Sequence, residues 1–144
     1  MYKKLVVKDI DKRVRIDFLR MFLFDILTRQ MDRNLTNFGF YNINSYVKLY
    51  RLYDNGLSLF SSVRFNPNLV YSSVYGNSED VLKYVVRQLK NELVDKPFAG
   101  KLNVEFLEHI FKPYANEIFK VKGTDYKDIV KWIMDMYNHI LQQF

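Results

Sequence analysis

Between Ile16 and about Gln30, apolar residues fall on nearly every side of a helix. Ile16, Phe18, Leu19, Met21, Phe22, Leu23, Phe24, Ile26 and Leu27 leave only a narrow polar stripe of Asp17, Arg20, Asp25 and Thr28. A helix that is apolar almost all round belongs in the middle of a core, so this segment is the predicted centre of the fold. From Asn37 to Asp54 the period shortens to that of strands. Phe38-Gly-Phe-Tyr and Tyr46-Val-Lys-Leu-Tyr-Arg-Leu-Tyr are rich in aromatic and β-branched residues, with Asn42-Ile-Asn-Ser as the turn. This predicts a short hairpin turning near Asn44–Tyr46. After Asp54-Asn-Gly the pattern is irregular to about residue 76. Three helices are predicted in the last third. One runs from Glu79 to Leu93, capped by Asn77 or Ser78. Another runs from Val104 to about Lys120, broken or kinked at Pro113. The last runs from Asp125 to Gln143, with Ile129, Val130, Trp132, Ile133, Met136, Tyr137, Ile140 and Leu141 as its apolar face. The predicted class is mainly α with one β-hairpin, α+β overall: a basic segment over 1–15, then one domain over 16–144.

Composition narrows the function classes. At 144 residues with 49% hydrophobic positions the chain can bury a core without staples. It has no cysteine, which excludes a disulfide framework, a zinc ribbon and a thiol nucleophile, and its two histidines do not make a His-rich metal site. No apolar run approaches the ~20 residues of a membrane span. The start, Met1-Tyr-Lys-Lys-Leu-Val-Val-Lys, is too short in apolar residues for a signal peptide, so a cytoplasmic protein is expected. The net charge of +6 is uneven: residues 1–30 hold eight Lys or Arg against four Asp. Such a segment suits nucleic acid or an acidic partner, or is a solvated basic face. No nucleic-acid motif accompanies it.

The chemistry-bearing stretch is Met31-Asp-Arg-Asn-Leu-Thr-Asn-Phe-Gly-Phe, followed by Leu52-Tyr-Asp-Asn-Gly. A hairpin folded about a point near residue 45.5 sets Phe38 opposite Tyr53 and Asn37 opposite Asp54. Directly opposed side chains have Cβ atoms about 4.5–5.5 Å apart. A carboxylate and an amide oxygen that close suit a hard divalent cation such as Mg²⁺, which completes its octahedron with water and phosphate oxygens. Asp32, five residues before Asn37, can reach the same place from the loop after the buried helix. Asp and Asn are also favoured in turns for local hydrogen bonding. That origin leaves the joint spacing with Gly39, Phe40 and Gly56 unexplained. An Asp, an Asn five residues on, a hairpin and then Asp-x-Gly is the layout of a protein-kinase catalytic loop and metal-binding turn.

More specifically, Phe24-Asp-Ile-Leu-Thr-Arg-Gln-Met-Asp-Arg-Asn-Leu-Thr-Asn-Phe-Gly-Phe and Leu49-Tyr-Arg-Leu-Tyr-Asp-Asn-Gly-Leu-Ser-Leu-Phe resemble the HipA-like serine/threonine kinases. Asp95-Lys-Pro-Phe and the terminal helices are similar to that family's C-terminal portion. The resemblance spans roughly residues 15–144 and is best over 24–60. It implies a kinase large lobe in which Asp32 accepts or orients the substrate hydroxyl proton. Asn37 and Asp54 would hold Mg²⁺ with ATP, and Gly56 would free the backbone behind Asp54. Two departures bear on activity. The family's histidine after Asp-Arg is Asn34 here. Among only five glycines, none forms Gly-x-Gly-x-x-Gly or Gly-Lys-Ser/Thr, so the small lobe that grips the phosphates is expected to be absent. The resemblance therefore implies a phosphotransferase lobe completed by a partner chain. The alternative is a non-catalytic binding protein, such as a regulator or a phage or mobile-element inhibitor of a host protein or protein–nucleic-acid complex. Nucleic-acid binding through residues 1–30 is a third option, and His109 and His139 read as ordinary helix residues.

Overall fold

The computed structural model describes residues 11–33, 36–44, 46–49, 58–59, 65, 72–73, 76–120 and 123–144. Helix α1 (Lys12–Leu27) starts at Asp11, whose carboxylate accepts a hydrogen bond from the Arg13 N–H at 2.8 Å. The Lys and Arg residues that follow are good helix formers. The helix therefore begins four residues before the predicted Ile16, inside the segment expected only as a basic lead-in. It stops three residues short of Gln30. There the Thr28 hydroxyl donates to the Phe24 carbonyl at 2.9 Å, and Arg29 turns into left-handed backbone at φ 50°.

As its pattern predicts, α1 is the central element. Phe18, Leu19, Met21, Phe22, Leu23, Ile26 and Leu27 are all buried. Its polar stripe differs from expectation at one position: Phe24 is exposed and Asp25 is buried. At about 100° per residue, position 24 falls between 20 and 28 on the helix surface, while 25 is turned inward. Hydrophobicity alone would have assigned these two the other way round.

Helix α2 (Ser78–Asn91) is capped by Asn77, whose side chain accepts from the Glu79 N–H at 2.9 Å. Glu79 and Asp80 in its first turn and Lys90 in its last oppose the helix dipole. Helix α3 (Val104–Phe111) is capped by Asn103, which accepts from the Phe106 N–H at 2.8 Å. Past Phe111 the chain tightens into a 3₁₀ turn (Lys112–Tyr114) and then widens into a π turn (Ala115–Phe119). This is the predicted break at Pro113, which has no N–H to continue the ladder. Gly123, at φ 66°, supplies the left-handed residue from which the chain turns into α4 (Tyr126–Leu141). Asp125 caps α4 by accepting from the Lys127 N–H at 2.9 Å.

Helix α1 packs against α2 and α4, and α4 packs against α3. Val81, Leu82, Val85, Val86 and Leu89 of α2 and Ile129, Val130, Ile133, Tyr137 and Ile140 of α4 join α1 in one cluster. Burial of each such aliphatic side chain contributes about 1.5–3 kcal/mol. Two arginines of α1 tie it to the end of α2 and beyond. The Arg20 Nε donates to the Pro97 carbonyl at 3.1 Å. The Arg15 Nε donates to Glu92, whose carboxyl is held below its ordinary value of 4.5, chiefly by that hydrogen bond. A lowered folded-state value means that the pair's contribution is full above the unfolded value and is lost as pH falls through the folded one. Glu92→Gln is therefore expected to cost about 0.5–1 kcal/mol at neutral pH, a difference that disappears in strongly acidic solution. Urea unfolding of both proteins at the two pH values checks this.

The predicted hairpin is present, with strands β1 (Phe40–Ile43) and β2 (Tyr46–Leu49) antiparallel. Its register differs from expectation by two residues: Phe40 opposes Leu49 and Ile43 opposes Tyr46. Asn42 and Ile43, expected in the turn, belong to β1. Only positions 44 and 45 link the strands, and Asn44 sits at φ 50°, where asparagine is tolerated better than most residues. A two-residue offset leaves each side chain on its expected face. A second, two-residue ladder pairs β3 (Ser72–Ser73) with β4 (Gly76–Asn77) just before α2, in a stretch expected to be irregular. Among the described residues, no helix is long and apolar enough to cross a membrane.

Candidate functional site

The loop leaving α1 is anchored at both ends. Upstream, the Gln30 N–H donates to the Asp25 carbonyl at 2.8 Å. Downstream, the Phe38 ring lies 5.5 Å from that of Phe18 in α1, and the Phe40 ring lies 6.0 Å from it. These aromatic contacts fix where the hairpin starts and hence where Asn37 sits.

Between the anchors lies Arg33, fully buried. Its guanidinium forks onto the buried Asp25 carboxylate, with Nη2 donating to Oδ1 at 2.8 Å and Nε to Oδ2 at 3.1 Å. The Arg33 Nη1 donates to the Asn37 carbonyl at 3.1 Å. A buried carboxylate is tolerable only when paired, and the planar fork of arginine matches it with two bonds. The same cation therefore neutralises Asp25 and holds the far end of the loop.

Asn37 completes the closure. It is 1% exposed, and its Nδ2 donates to the Asp32 backbone carbonyl five residues earlier. The structure thus brings the Asn37 side chain to the backbone of Asp32. It places Asn37 in the interior, not at the open end of the hairpin, and leaves Asp32 half-buried. Gly39 has room for a Cβ, with no atom within 4 Å, so its glycine is not required by packing. Asp54, Gly56 and Asn34 lie outside the described residues, as does the pairing of Asn37 with Asp54. Ser58, two residues after Gly56, donates from its hydroxyl to Gln30 Oε1 at 3.3 Å, and the Leu59 N–H donates to the Thr28 carbonyl at 2.8 Å. The chain at residues 58–59 is therefore back beside the loop that leaves α1.

The Asp25–Arg33 pair was not singled out by sequence reasoning. The sequence pattern carries no signal for it, because hydrophobicity places Asp25 in the polar stripe of α1. Among the described residues, no group of three or more His, Asp or Glu side chains is placed to hold a metal. The hard oxygens of this loop are those of the half-buried Asp32 carboxylate and of the buried Asn37 amide. This donor chemistry fits Mg²⁺ better than a soft metal.

The histidines lie elsewhere. His109 is exposed on α3, and the His139 Nε2 on α4 lies 3.2 Å from the Glu79 carboxylate. The chain matches no protein-family model, no curated protein and no solved structure.

Proposed function

We propose that this chain is a HipA-like kinase large lobe whose 32–37 loop, with Asp54, forms half of a Mg·ATP site. A partner chain would supply the phosphate-gripping half. The observation that carries this reading is the hydrogen bond from the Asn37 side chain to the Asp32 carbonyl. It ties the Asn37 side chain to the Asp32 backbone and so holds together the two positions proposed for the metal and the proton. Asp32 is the residue to accept a substrate hydroxyl's proton, while Asn37 and Asp54 hold the metal and Gly56 frees the backbone behind Asp54. Bound Mg²⁺ would offset charge on the phosphate oxygens, the main requirement of phosphoryl transfer. The sequence has no glycine-rich phosphate loop. Positioning by this half alone would give weak nucleotide binding and little turnover.

Titration calorimetry with ATP tests this, comparing wild type with Asp54→Asn, each with and without Mg²⁺. Binding heat that needs Mg²⁺ and weakens by about tenfold or more in the variant is the expected result. No heat at millimolar Mg·ATP with folded protein would overturn the reading. A second reading, a kinase-derived binding module without catalysis, is favoured by the exposed apolar hairpin. It predicts no nucleotide binding, and partner binding unaffected by Asp32→Ala or Asp54→Ala.

A further inference from the structure

The two faces of the hairpin differ. In an antiparallel ribbon, alternate residues along a strand and directly opposed partners share a face. The register sets Phe40 against Leu49 and Asn42 against Val47, so these four side chains form one face. That face turns toward α1: the Phe40 ring lies 6.0 Å from that of Phe18, and Leu49 packs against the core. The other face carries Tyr41 opposite Lys48 and Ile43 opposite Tyr46. All four are exposed, Tyr46 most of all at 66%. Tyr41 and Tyr46 are diagonal neighbours across the ladder, a placement that sets their Cα atoms about 7–8 Å apart. None of the four is acidic.

We propose that this outer face binds single-stranded nucleic acid, with bases stacked on Tyr41 and Tyr46 and a phosphate on Lys48. The chemistry of the four side chains selects this occupant. Unpaired bases offer π-faces that a duplex keeps inside its own stack, and exposed rings on an open sheet face are suited to take them. Two rings one ladder diagonal apart can each hold a base of the same extended strand. Lys48 stands directly opposite Tyr41, where its ammonium can meet the phosphate beside a base stacked there. Ile43 adds apolar contact between the rings and the hairpin tip. The chain as a whole carries +6, which draws a polyanion toward it. Other occupants fit this set less well. An apolar peptide would bury Lys48 without a counter-charge, and a polyphosphate would leave both rings unused.

The proposal uses none of Asp32, Asn37 and Asp54, so it stands apart from the nucleotide reading. Fluorescence anisotropy of a labelled oligothymidylate of about 12 nucleotides, titrated with the full chain at about 50 mM salt, tests it. A dissociation constant between about 1 and 100 µM is expected, with the matching duplex bound more weakly. Tyr41→Val and Tyr46→Val keep strand-forming side chains but remove the rings. Each should weaken binding by about 5–100-fold, whereas Tyr46→Phe should bind like wild type. Lys48→Gln should lower the slope of log affinity against log salt by about 0.7, the share of one phosphate contact. No binding up to roughly 300 µM chain would overturn the inference. So would valine variants that bind like wild type, as they would if the basic residues of 1–30 alone held the strand. A duplex bound as tightly as the single strand, or a Tyr46→Phe variant as weak as Tyr46→Val, would also overturn it.

Discussion

Exchanging Arg33 for methionine is expected to destabilise the fold by about 3–5 kcal/mol, because it removes the guanidinium that forks onto the buried Asp25 carboxylate. The pair is withdrawn from water on both sides, with side-chain exposures of 0% and 3%. The same change removes the donor to the Asn37 carbonyl. In a domain of this length such a loss lowers the melting temperature by roughly 10 °C. Asp25→Asn should cost a similar amount, since it removes the charge that the Arg33 guanidinium forks onto. The double variant Asp25→Leu/Arg33→Met should recover most of the stability, because a buried ion pair replaced whole by apolar side chains is often neutral. Urea denaturation of the three variants checks this through their midpoints. Single variants within about 1 kcal/mol of wild type would contradict the buried pair.

Asn37→Ala is the second large change. It removes the amide oxygen assigned to the metal and the amide nitrogen that closes the loop on Asp32. Mg·ATP affinity is expected to fall by about 10–100-fold. Stability should fall by about 1–3 kcal/mol, because the Asp32 carbonyl loses its donor. Asp32→Ala gives the contrast. It leaves the backbone carbonyl and the loop closure in place, so Mg·ATP affinity should change little, in keeping with a proton-accepting role and not a metal-binding one. Calorimetry on both variants separates the two roles. Equal losses would place Asp32 among the metal ligands.

Much of this arrangement was legible in the sequence, and the reasons differ by element. Helices α2 and α4 were predicted to within about two residues because amphipathic periodicity and the capping side chains of Asn77 and Asp125 point the same way. The break at Pro113 followed from the missing N–H. The start of α1 was missed because its first turn, Lys12–Arg15, is mostly charged; its signal is the cap Asp11, not hydrophobicity. The hairpin register was misjudged by two residues because Asn42 and Ile43 suit either a turn or a strand, and only the left-handed backbone at Asn44 decides between them. In the candidate site, the spacing points to Asp32 and Asn37 side chains reaching one place, whereas the contact found runs from the Asn37 side chain to the Asp32 backbone. The burial of Asn37 and the Asp25–Arg33 pair were not readable, because both depend on how the loop folds back onto the inner face of α1. Sequence pattern reports which face of a helix is apolar, whereas a buried charge is accepted only through a partner that tertiary structure supplies.

The central claim is that the loop closed by Asn37 on Asp32 faces a metal–nucleotide complex. Paramagnetic line broadening by Mn²⁺·ATP, followed on the backbone amide signals of the ¹⁵N-labelled chain and its Asn37→Ala variant, tests it most directly. The account predicts that the signals of Asp32, Arg33, Asn37 and Phe38 broaden first in the wild type and stay sharp in the variant at the same concentration. Signals of this loop that stay sharp at millimolar Mn²⁺·ATP, or broadening confined to acidic positions such as Asp128 and Asp135 of α4, would contradict it.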